Sequence, residues 1–379
     1  MLGKKWKVVL AAAAIGCLAA IPATAMGALG GISLPAGTSG SSMEVKVATS
    51  GATSGTQLVA LSIDANGNAV KTGSEKVSAT STHGSYVAPS GLVYVNKFAG
   101  GGIEVYKKEG NSWQPYNKDK WLTATTATMN CSLDLAKGTE DPDTGQLQLG
   151  DIASGFSYLI NMNNGAPAWA NSRPAPVGGE AGILGGSGTT CDLVWTENPV
   201  TNTAVSSGHT NNVYVWDTSL GQTLPTGDTV YGLRTIFPAE NKLGHQDRTI
   251  TAPNGKEYVF VADGSAGQIL VLDSAMLSDP ANAQNARVGR ITVGGEMHST
   301  GFIVDGVKSN KAISNYGVIA DFSVGSLKVV QLFKADGTPN VDGAGQQKPV
   351  VTSTIPAIGG AGDICGVDIV DVNGVWQRN

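Results

Sequence analysis

Six segments that each open with a histidine or a cysteine recur along the chain at intervals of 48, 60, 54, 53 and 67 residues, about 56 on average. Each segment begins a short β-branched run, and further short runs follow before the next segment. The opening residues are His83, Cys131, Cys191, His245, His298 and Cys365. A unit of this length holds several strands but cannot bury its own apolar faces, so its neighbours must cover them. The repeat therefore limits the chain to an array of similar all-β units.

Within the units, pairs of apolar runs flank a turn that contains glycine. The clearest pairs lie at 92–106, 258–273 and 316–330, and weaker pairs lie at 156–169 and 212–224. Alternating apolar residues bounded by Gly, Asn, Asp and Ser are typical of antiparallel strands. Hydrophobic residues make up 41% of the chain and charged residues only 15%, which favours a large core and argues against a disordered chain.

The two ends of the chain together complete one more unit. The last unit has only 15 residues, 365–379, and the 40 residues at 43–82 contain two further runs, 56–64 and 69–77. A unit of this size with several strands is typical of a propeller blade. The predicted fold is therefore a single all-β propeller, most simply of six blades, with both termini joined in the closing blade. Seven blades are the alternative if a long insertion hides one.

The first 25 residues have the pattern of an export signal. Three lysines precede an apolar run over 8–18, and Ala23-Thr24-Ala25 supplies a small-x-small cleavage site. An uncleaved anchor and a lipidated Cys17 are the alternatives. We expect an exported protein, periplasmic or extracellular, with no membrane span in the mature chain. The predicted divisions are a signal peptide at 1–25, a flexible lead at 26–42 and the propeller at 43–379.

Charge and cysteine content narrow the choice of partners. The whole chain has a net charge of −5, and cleavage of the signal peptide leaves 22 basic against 30 acidic residues. The sequence has no basic block, which argues against nucleic acid as a partner. Three cysteines remain after cleavage. Because an odd number cannot all pair within one chain, at least one thiol is free or bound to something else.

Two segments resemble the repeat of known propellers. HGSYVAPSGLVYVN at 83–96 and HQDRTITAPNGKEYVFVAD at 245–263 both begin with His, pass through a Pro-x-Gly turn and end a second strand in Asn or Asp. This pattern resembles the repeat of YVTN-type propellers. The resemblance implies an architecture and says little about chemistry, since propellers host many functions.

The six opening residues predict a site at one mouth of the central channel. The innermost strand of each blade lines the channel of a propeller, so the six side chains are expected to form one His/Cys ring. Thiolate and imidazole are ligands that copper(I) and zinc prefer. We therefore predict a copper or zinc ion bound by His83, Cys131, Cys191, His245, His298 and Cys365. The polar residues expected near this ring are Asn96, Asn161, Asp217, Asp263 and Asp321. His209 is expected to lie outside it.

The predicted ring is similar to the histidine-lined propeller channel that holds the copper cluster of nitrous oxide reductases. It is also similar to exported propeller metallochaperones that hand zinc to a transporter. The reductases have more histidines, seven blades and a separate cupredoxin domain, and the chaperones have a His-rich flexible segment, whereas residues 26–42 contain no His. The resemblance implies a channel metal, with another exported protein or a transporter as partner, and leaves open whether the protein is an enzyme.

Two other functions stay open. In the first, the His and Cys residues are structural and the propeller is a non-catalytic interaction or scaffold protein. Small buried cysteines often serve packing, and Cys131 and Cys191 on adjacent blades could form a disulfide. In the second, the chain is a lactonase-like hydrolase that holds a hard cation with the channel Asp and Asn residues. A ring with three cysteines does not suit such a cation.

Overall fold

The computed structural model describes residues 42–123, 130–136, 138–151, 156–170, 176–179, 190–195, 202–208, 212–223, 229–238, 244–304 and 311–378. The predicted signal peptide, and the predicted lead up to residue 41, lie outside these residues. In the described part, six antiparallel sheets follow one another along the chain as the blades of a β-propeller, which confirms the predicted fold. No helix within the described ranges has both the length and the apolar character needed to cross a membrane.

Blade 1 is built from both ends of the described chain, as predicted. The N-terminal part supplies β1 (Met43–Gly51), β2 (Gly55–Ile63) and β3 (Ala69–Ser78), and the C-terminal part supplies β26 (Ile364–Val372) and β27 (Val375–Trp376). The strand order β27-β26-β1-β2-β3 places β26 beside β1, a strand that the sequence pattern did not single out. This pairing covers edges that each terminal segment would otherwise expose.

The other five blades are each formed by consecutive strands, and the first strands of neighbouring blades contact one another around the channel. Blade 2 contains β4 (Ser85–Val87), β5 (Val93–Asn96), β6 (Gly102–Glu109), β7 (Ser112–Pro115) and β8 (Leu122–Thr123), and blade 3 contains β9 (Asn130–Leu135), β10 (Gln146–Asp151), β11 (Phe156–Asn161), β12 (Ala168–Trp169) and β13 (Pro176–Gly179). Blade 4 contains β14 (Thr190–Trp195), β15 (Thr203–Gly208), β16 (Asn212–Thr223) and β17 (Thr229–Pro238), and blade 5 contains β18 (Gly244–Thr251), β19 (Glu257–Asp263), β20 (Gln268–Asp273) and β21 (Arg287–Thr292). Blade 6 contains β22 (Met297–Val304), β23 (Ala312–Asp321), β24 (Ser326–Gln331) and β25 (Val351–Ile355). A short helix, α1 (Ser274–Leu277), and 3₁₀ turns at Lys118–Lys120 and Ala283–Asn285 connect strands.

Strands in the middle of a blade are apolar on both faces because each blade packs between two others. In β19, Tyr258 and Phe260 belong to one apolar cluster, together with Phe302 of blade 6. Val259 and Val261, which alternate with them, belong to a second cluster. Full burial of one such side chain stabilises the fold by about 1.5–3 kcal/mol. Burial on both faces explains why these strands read as nearly continuous apolar runs in the sequence.

Two of the predicted strand pairs lie one strand too far out in their blades. The pair at 156–169 corresponds to β11 and β12, and the predicted pair at 212–224 falls on the single strand β16. The second strands of these blades are β10, QLQLGD, and β15, TAVSSG. Both have few large apolar side chains, so they give only a weak strand signal. The slip misplaces two of the predicted site residues.

Candidate functional site

The six residues of the predicted His/Cys ring occupy corresponding places in their blades. Five lie at the second position of the first strand, in β9, β14, β18, β22 and β26, and His83 lies two residues before β4. Because these strands surround the channel, the backbone of all six residues lies around one of its ends.

A β-bulge occurs at five of these positions. The pairing register between the first strand and its neighbour shifts across each residue, namely Cys131, Cys191, His245, His298 and Cys365. A bulge takes one residue out of the regular ladder and changes the direction of its side chain. In blade 2, Asn96 Oδ1 accepts hydrogen bonds from the N–H groups of His83 at 3.3 Å and Gly84 at 3.2 Å. A backbone irregularity is thus common to five of the six His and Cys positions.

Both described imidazoles of the ring stack on phenylalanines. The imidazole of His83 lies 3.8 Å from the ring of Phe98, and that of His298 lies 4.0 Å from the ring of Phe322, both measured between centroids. The planes are nearly parallel, at 14° and 12°. Phe98 and Phe322 each follow the second strand of the same blade, so the contact is a repeated packing unit. One face of each imidazole is therefore used in packing.

Two of the predicted cysteine ligands are in states that do not favour metal binding. Cys131 is disulfide-bonded and 1% exposed, and a sulfur in a disulfide is not a thiolate ligand. Cys365 is a free thiol whose Sγ donates to the carbonyl oxygen of Asp363 at 3.2 Å. Burial first, and then the charge of Asp363, raise the pKa of Cys365 to about 12. At neutral pH this side chain is therefore a neutral thiol.

The remaining members of the predicted ring are only partly described. The side chains of Cys191 and His245 lie outside the described residues, as does the whole of His209. Among the side chains that the structure does describe, no three His, Cys, Asp or Glu residues are grouped as a metal site requires. The copper or zinc site therefore stays a prediction.

Three of the five polar residues expected near the ring lie at that end of the blades: Asn96, Asp263 and Asp321. The last residues of β19 and β23, Asp263 and Asp321, pair with the first residues of β18 and β22. Both carboxylates form ion pairs within their own blades, Asp263 with Arg290 at 2.9 Å and Asp321 with Lys328 at 2.7 Å. Burial alone would raise the pKa of Asp321, but hydrogen bonds, first from Lys328, outweigh it and lower that pKa. These ion pairs weaken the lactonase-like interpretation.

The other two polar residues were predicted at the wrong end. Asn161 and Asp217 pair with the first residues of β10 and β15, far from the bulges of β9 and β14. Their misplacement follows from the one-strand slip in blades 3 and 4. In blade 3 the residue at the ring end is Asp151, which is buried and pairs with Asn130 beside the bulge.

Gln246 of β18 reaches across the channel at the level of the ring. Its side chain is 5% exposed, and Nε2 donates to the carbonyl oxygens of His83 at 3.3 Å and Cys131 at 3.2 Å. The backbone packing is close here, because a Cβ added at Gly366 would lie 2.7 Å from the His83 carbonyl oxygen. One amide side chain thus joins the backbone carbonyls of two ring residues, from blades 2 and 3.

Arg248, two residues further along β18, spans the channel. Its guanidinium forms ion pairs with Asp134 of β9 and Asp368 of β26, so one side chain joins blades 1, 3 and 5. The sequence analysis missed these three residues. Asp134, Arg248 and Asp368, which we call the channel cluster, each stand three positions after a ring residue. Opposite charges at the same position of alternate blades were the sequence signal for this cluster.

A small cavity lies beside this channel cluster, with room for about one water molecule. It is lined by residues of β4, β9 and β26, including Asp134 and Asp368, and by Gln377 of the C-terminal tail. The tail is held in place by Trp376 Nε1, which donates to the carbonyl oxygen of Val87 in β4 at 2.8 Å. The C-terminal tail thus forms one wall of the cavity.

Among the described side chains in this part of the channel, burial acts strongly on two carboxyls near Arg248. Burial raises the pKa of Asp368 to about 7, although Arg248 acts in the opposite direction. Burial likewise raises the pKa of Asp247 well above its usual value, and its Oδ1 accepts a hydrogen bond from Ser207 at 3.0 Å. Arg248 thus interacts with the carboxyls of Asp134, Asp247 and Asp368. The raised pKa values of Asp247 and Asp368 lower the negative charge that these carboxyls carry.

Replacing Asp368 with asparagine is expected to flatten the pH dependence of stability. The folded protein holds the Asp368 proton up to about pH 7, whereas an unfolded Asp releases it near pH 3.9. The stabilisation from this proton is therefore complete below pH 4 and is lost as the pH rises through 7. Urea unfolding at pH 5 and pH 8 should show wild type losing stability relative to Asp368→Asn. The exposed Asp119→Asn is the control, and an equal pH response in all three proteins would contradict the raised pKa.

Comparisons with known proteins show the fold. No family model matches the sequence, and no curated protein sequence is similar to it. A Bacteroides fragilis protein described as a candidate 6-phosphogluconolactonase is similar in structure, with 12% identity, 89% of this chain and 100% of that chain covered, and a TM-score of 0.50. A chain of a nidogen/laminin complex has 10% identity, 88% and 99% coverage and a TM-score of 0.49, and a Lactobacillus plantarum protein has 12% identity, 83% and 82% coverage and a TM-score of 0.44. At these identities the likeness concerns the propeller fold alone.

Proposed function

We propose that the protein is an exported β-propeller of YVTN type that binds an acidic partner protein at the outer edge of blade 2, with its His/Cys positions serving the fold. The export pattern of residues 1–25 supports the location. The disulfide at Cys131 supports it independently, because disulfides persist mainly in oxidising compartments. The packing of His83 and His298 on phenylalanines supports a structural role for the ring.

The observation that carries the proposal is a set of half-buried aromatic side chains with lysines above them, which we call the aromatic edge: Tyr106, Lys107, Tyr116, Lys118 and Trp121. Tyr106 and Trp121 lie 5.7 Å apart between ring centroids, and Trp121 Nε1 donates to the Tyr116 carbonyl oxygen at 2.9 Å. Lys107 Nζ lies 5.2 Å from the Tyr116 ring and Lys118 Nζ lies 5.8 Å from the Trp121 ring. These distances are within the range of cation–π contacts.

Such a surface fits an acidic protein segment. Tyr and Trp are enriched at the centres of protein interfaces, because they bury a large area with few rotatable bonds. The contacts among the aromatic side chains hold them in place before a partner arrives, which lowers the entropic cost of binding. Lys107 and Lys118 are exposed and supply positive charge in a chain whose acidic residues outnumber its basic ones. Asp and Glu side chains of a partner would complement them.

The test is cross-linking of the exported protein in its native host. The mature chain, whose N-terminus is expected at Met26, should capture a defined partner, and Lys107→Glu/Lys118→Glu should reduce that capture at least about tenfold by placing like charges together. Lys71→Glu/Lys256→Glu changes two exposed lysines elsewhere and should leave capture unchanged. Equal capture by both double variants would refute the aromatic edge as the binding surface.

Metal content and lactone hydrolysis, measured on the exported protein, test the two other functions. Copper or zinc present in a one-to-one ratio with the exported protein would overturn the structural role of the ring and favour the metalloprotein or metallochaperone alternative. Lactonase-like hydrolysis has less support, because Asp263 and Asp321 are engaged in ion pairs with Arg290 and Lys328. If wild type hydrolyses a lactone and Asp263→Asn does not, the lactonase-like function would be favoured instead.

A further inference from the structure

Two cysteines at the ring end of the channel are in different oxidation states. Cys131 of β9 is disulfide-bonded and 1% exposed, whereas Cys365 of β26 is a buried free thiol. The chain has two other cysteines, Cys17 and Cys191. Cys17 lies in the predicted signal peptide and would be absent from the mature protein. Cys191 is therefore the cysteine of the mature chain that is left as a partner for Cys131.

Cys131 and Cys191 hold the same place in neighbouring blades. Each is the second residue of the first strand, β9 or β14, and each lies at a β-bulge. These two strands contact each other beside the channel. A disulfide needs Cα atoms about 4.4–6.8 Å apart, so corresponding residues of adjacent inner strands are suitable partners. The burial of Cys131 keeps a cysteine of a second molecule away from its sulfur.

We infer that Cys131 and Cys191 form a disulfide that joins blade 3 to blade 4 at the ring end of the channel. Its formation joins the two Sγ atoms and releases both thiol protons, while the two electrons reduce the disulfide of a thiol oxidoreductase to a dithiol. Disulfides formed in this way persist in oxidising compartments, which agrees with the export pattern of residues 1–25. The pairing leaves Cys365 as the free thiol that an odd number of cysteines requires.

The bond strengthens blades whose second strands bury polar side chains. Gln148 of β10 and Ser206 and Ser207 of β15 are 0–3% exposed. Burial of such side chains stabilises a fold less than burial of apolar ones, because they lose their hydration. A disulfide between β9 and β14 would add stability by closing a loop of 60 residues in the unfolded chain. This inference does not depend on the aromatic edge or on the proposed partner.

Peptide mapping of the mature protein tests the pairing. Free thiols are alkylated in denaturant without reductant, the protein is digested, and linked peptides are identified by mass spectrometry before and after reduction. The peptides that contain Cys131 and Cys191 should be linked until they are reduced, and Cys365 should be alkylated. Cys365→Ser is the control and should retain the same linked peptides. Alkylated Cys191, or a linkage of Cys131 to any other cysteine, would overturn the inference.

A second experiment tests whether the bond fastens blade 3 to blade 4. Cys131→Ser and Cys191→Ser each remove the same bond, so each should lower the melting temperature by about 5 °C. The double variant should lose about as much as either single variant, because it removes nothing further. Hydrogen exchange in the double variant should rise more in β9 and β14 than in β1 and β26, which pair with each other in blade 1. Unchanged melting, additive losses, or an equal rise in exchange at both places would contradict this role.

Discussion

Deletion of residues 365–379 is expected to abolish cooperative folding. The deletion removes nearly all of β26 and the whole of β27, and with them the channel-side partner of β1. Five side chains that are 0–6% exposed are lost: Val367, Ile369, Val370, Val372 and Trp376. At about 1.5–3 kcal/mol each, they contribute roughly 10 kcal/mol. That amount is comparable to the whole stability of a typical domain, about 5–15 kcal/mol.

Calorimetry and circular dichroism should therefore show no sigmoidal thermal transition in the truncated protein. Deletion of 378–379 alone is the control, since Arg378 is half-buried and its Nη2 makes one long hydrogen bond, 3.4 Å, to the Thr139 carbonyl oxygen. The shorter deletion should retain the transition with a small decrease in melting temperature. A wild-type transition in the longer deletion would show that the two ends do not share a blade in solution.

The repeat made the architecture predictable from the sequence. His and Cys are rare in this chain, and their recurrence at the first strand of each blade marked the repeat length and hence the number of blades. Burial on both blade faces strengthened the signal of strands such as β19, whose alternating side chains enter two apolar clusters. The closing blade followed from the truncated last unit, and β26 pairs with β1 as expected.

The order of the strands within blades 3 and 4 was not predictable from the repeat. The second strands β10 and β15 are rich in Gln, Gly, Ser and Thr, and the following strands β11 and β16 carry the aromatic residues. Reading the strong strands as second strands placed Asn161 and Asp217 at the ring end, whereas the structure places them at the other end. Strand identity in these blades depends on pairing partners, which a single sequence does not reveal.

The details of the channel exceeded what periodicity can predict. The equivalence of the ring residues suggested side chains directed at the axis, but a β-bulge takes five of these positions out of the regular backbone ladder. Bulges depend on pairing across two strands, so residue spacing alone does not locate them. The charges of the channel cluster were visible in the sequence, but their contact depends on the ring bringing Arg248 of blade 5 to Asp134 and Asp368.

Replacing Arg248 with methionine is expected to destabilise the protein by about 3–5 kcal/mol at pH 8 in the presence of chelator. Methionine fills much of the volume but removes the guanidinium that pairs with both Asp134 and Asp368 in the channel. The loss should be smaller at pH 5, because Asp368, with its pKa raised to about 7, then carries a proton in the folded state. Urea unfolding at both pH values measures the difference. The exposed Lys256→Met is the control, with an expected change within about 0.5 kcal/mol.

A triple variant separates charge from packing. Asp134→Asn/Arg248→Met/Asp368→Asn removes both carboxylates together with the guanidinium, so no ionised member of the ion pairs remains. Replacement of a complete buried ion-pair network by neutral side chains is often neutral or stabilising. The triple variant should therefore recover most of the stability that Arg248→Met loses at pH 8, and its unfolding free energy should depend less on pH. If the triple variant is as unstable as Arg248→Met alone, Arg248 acts through its packing in the channel rather than by pairing Asp134 and Asp368.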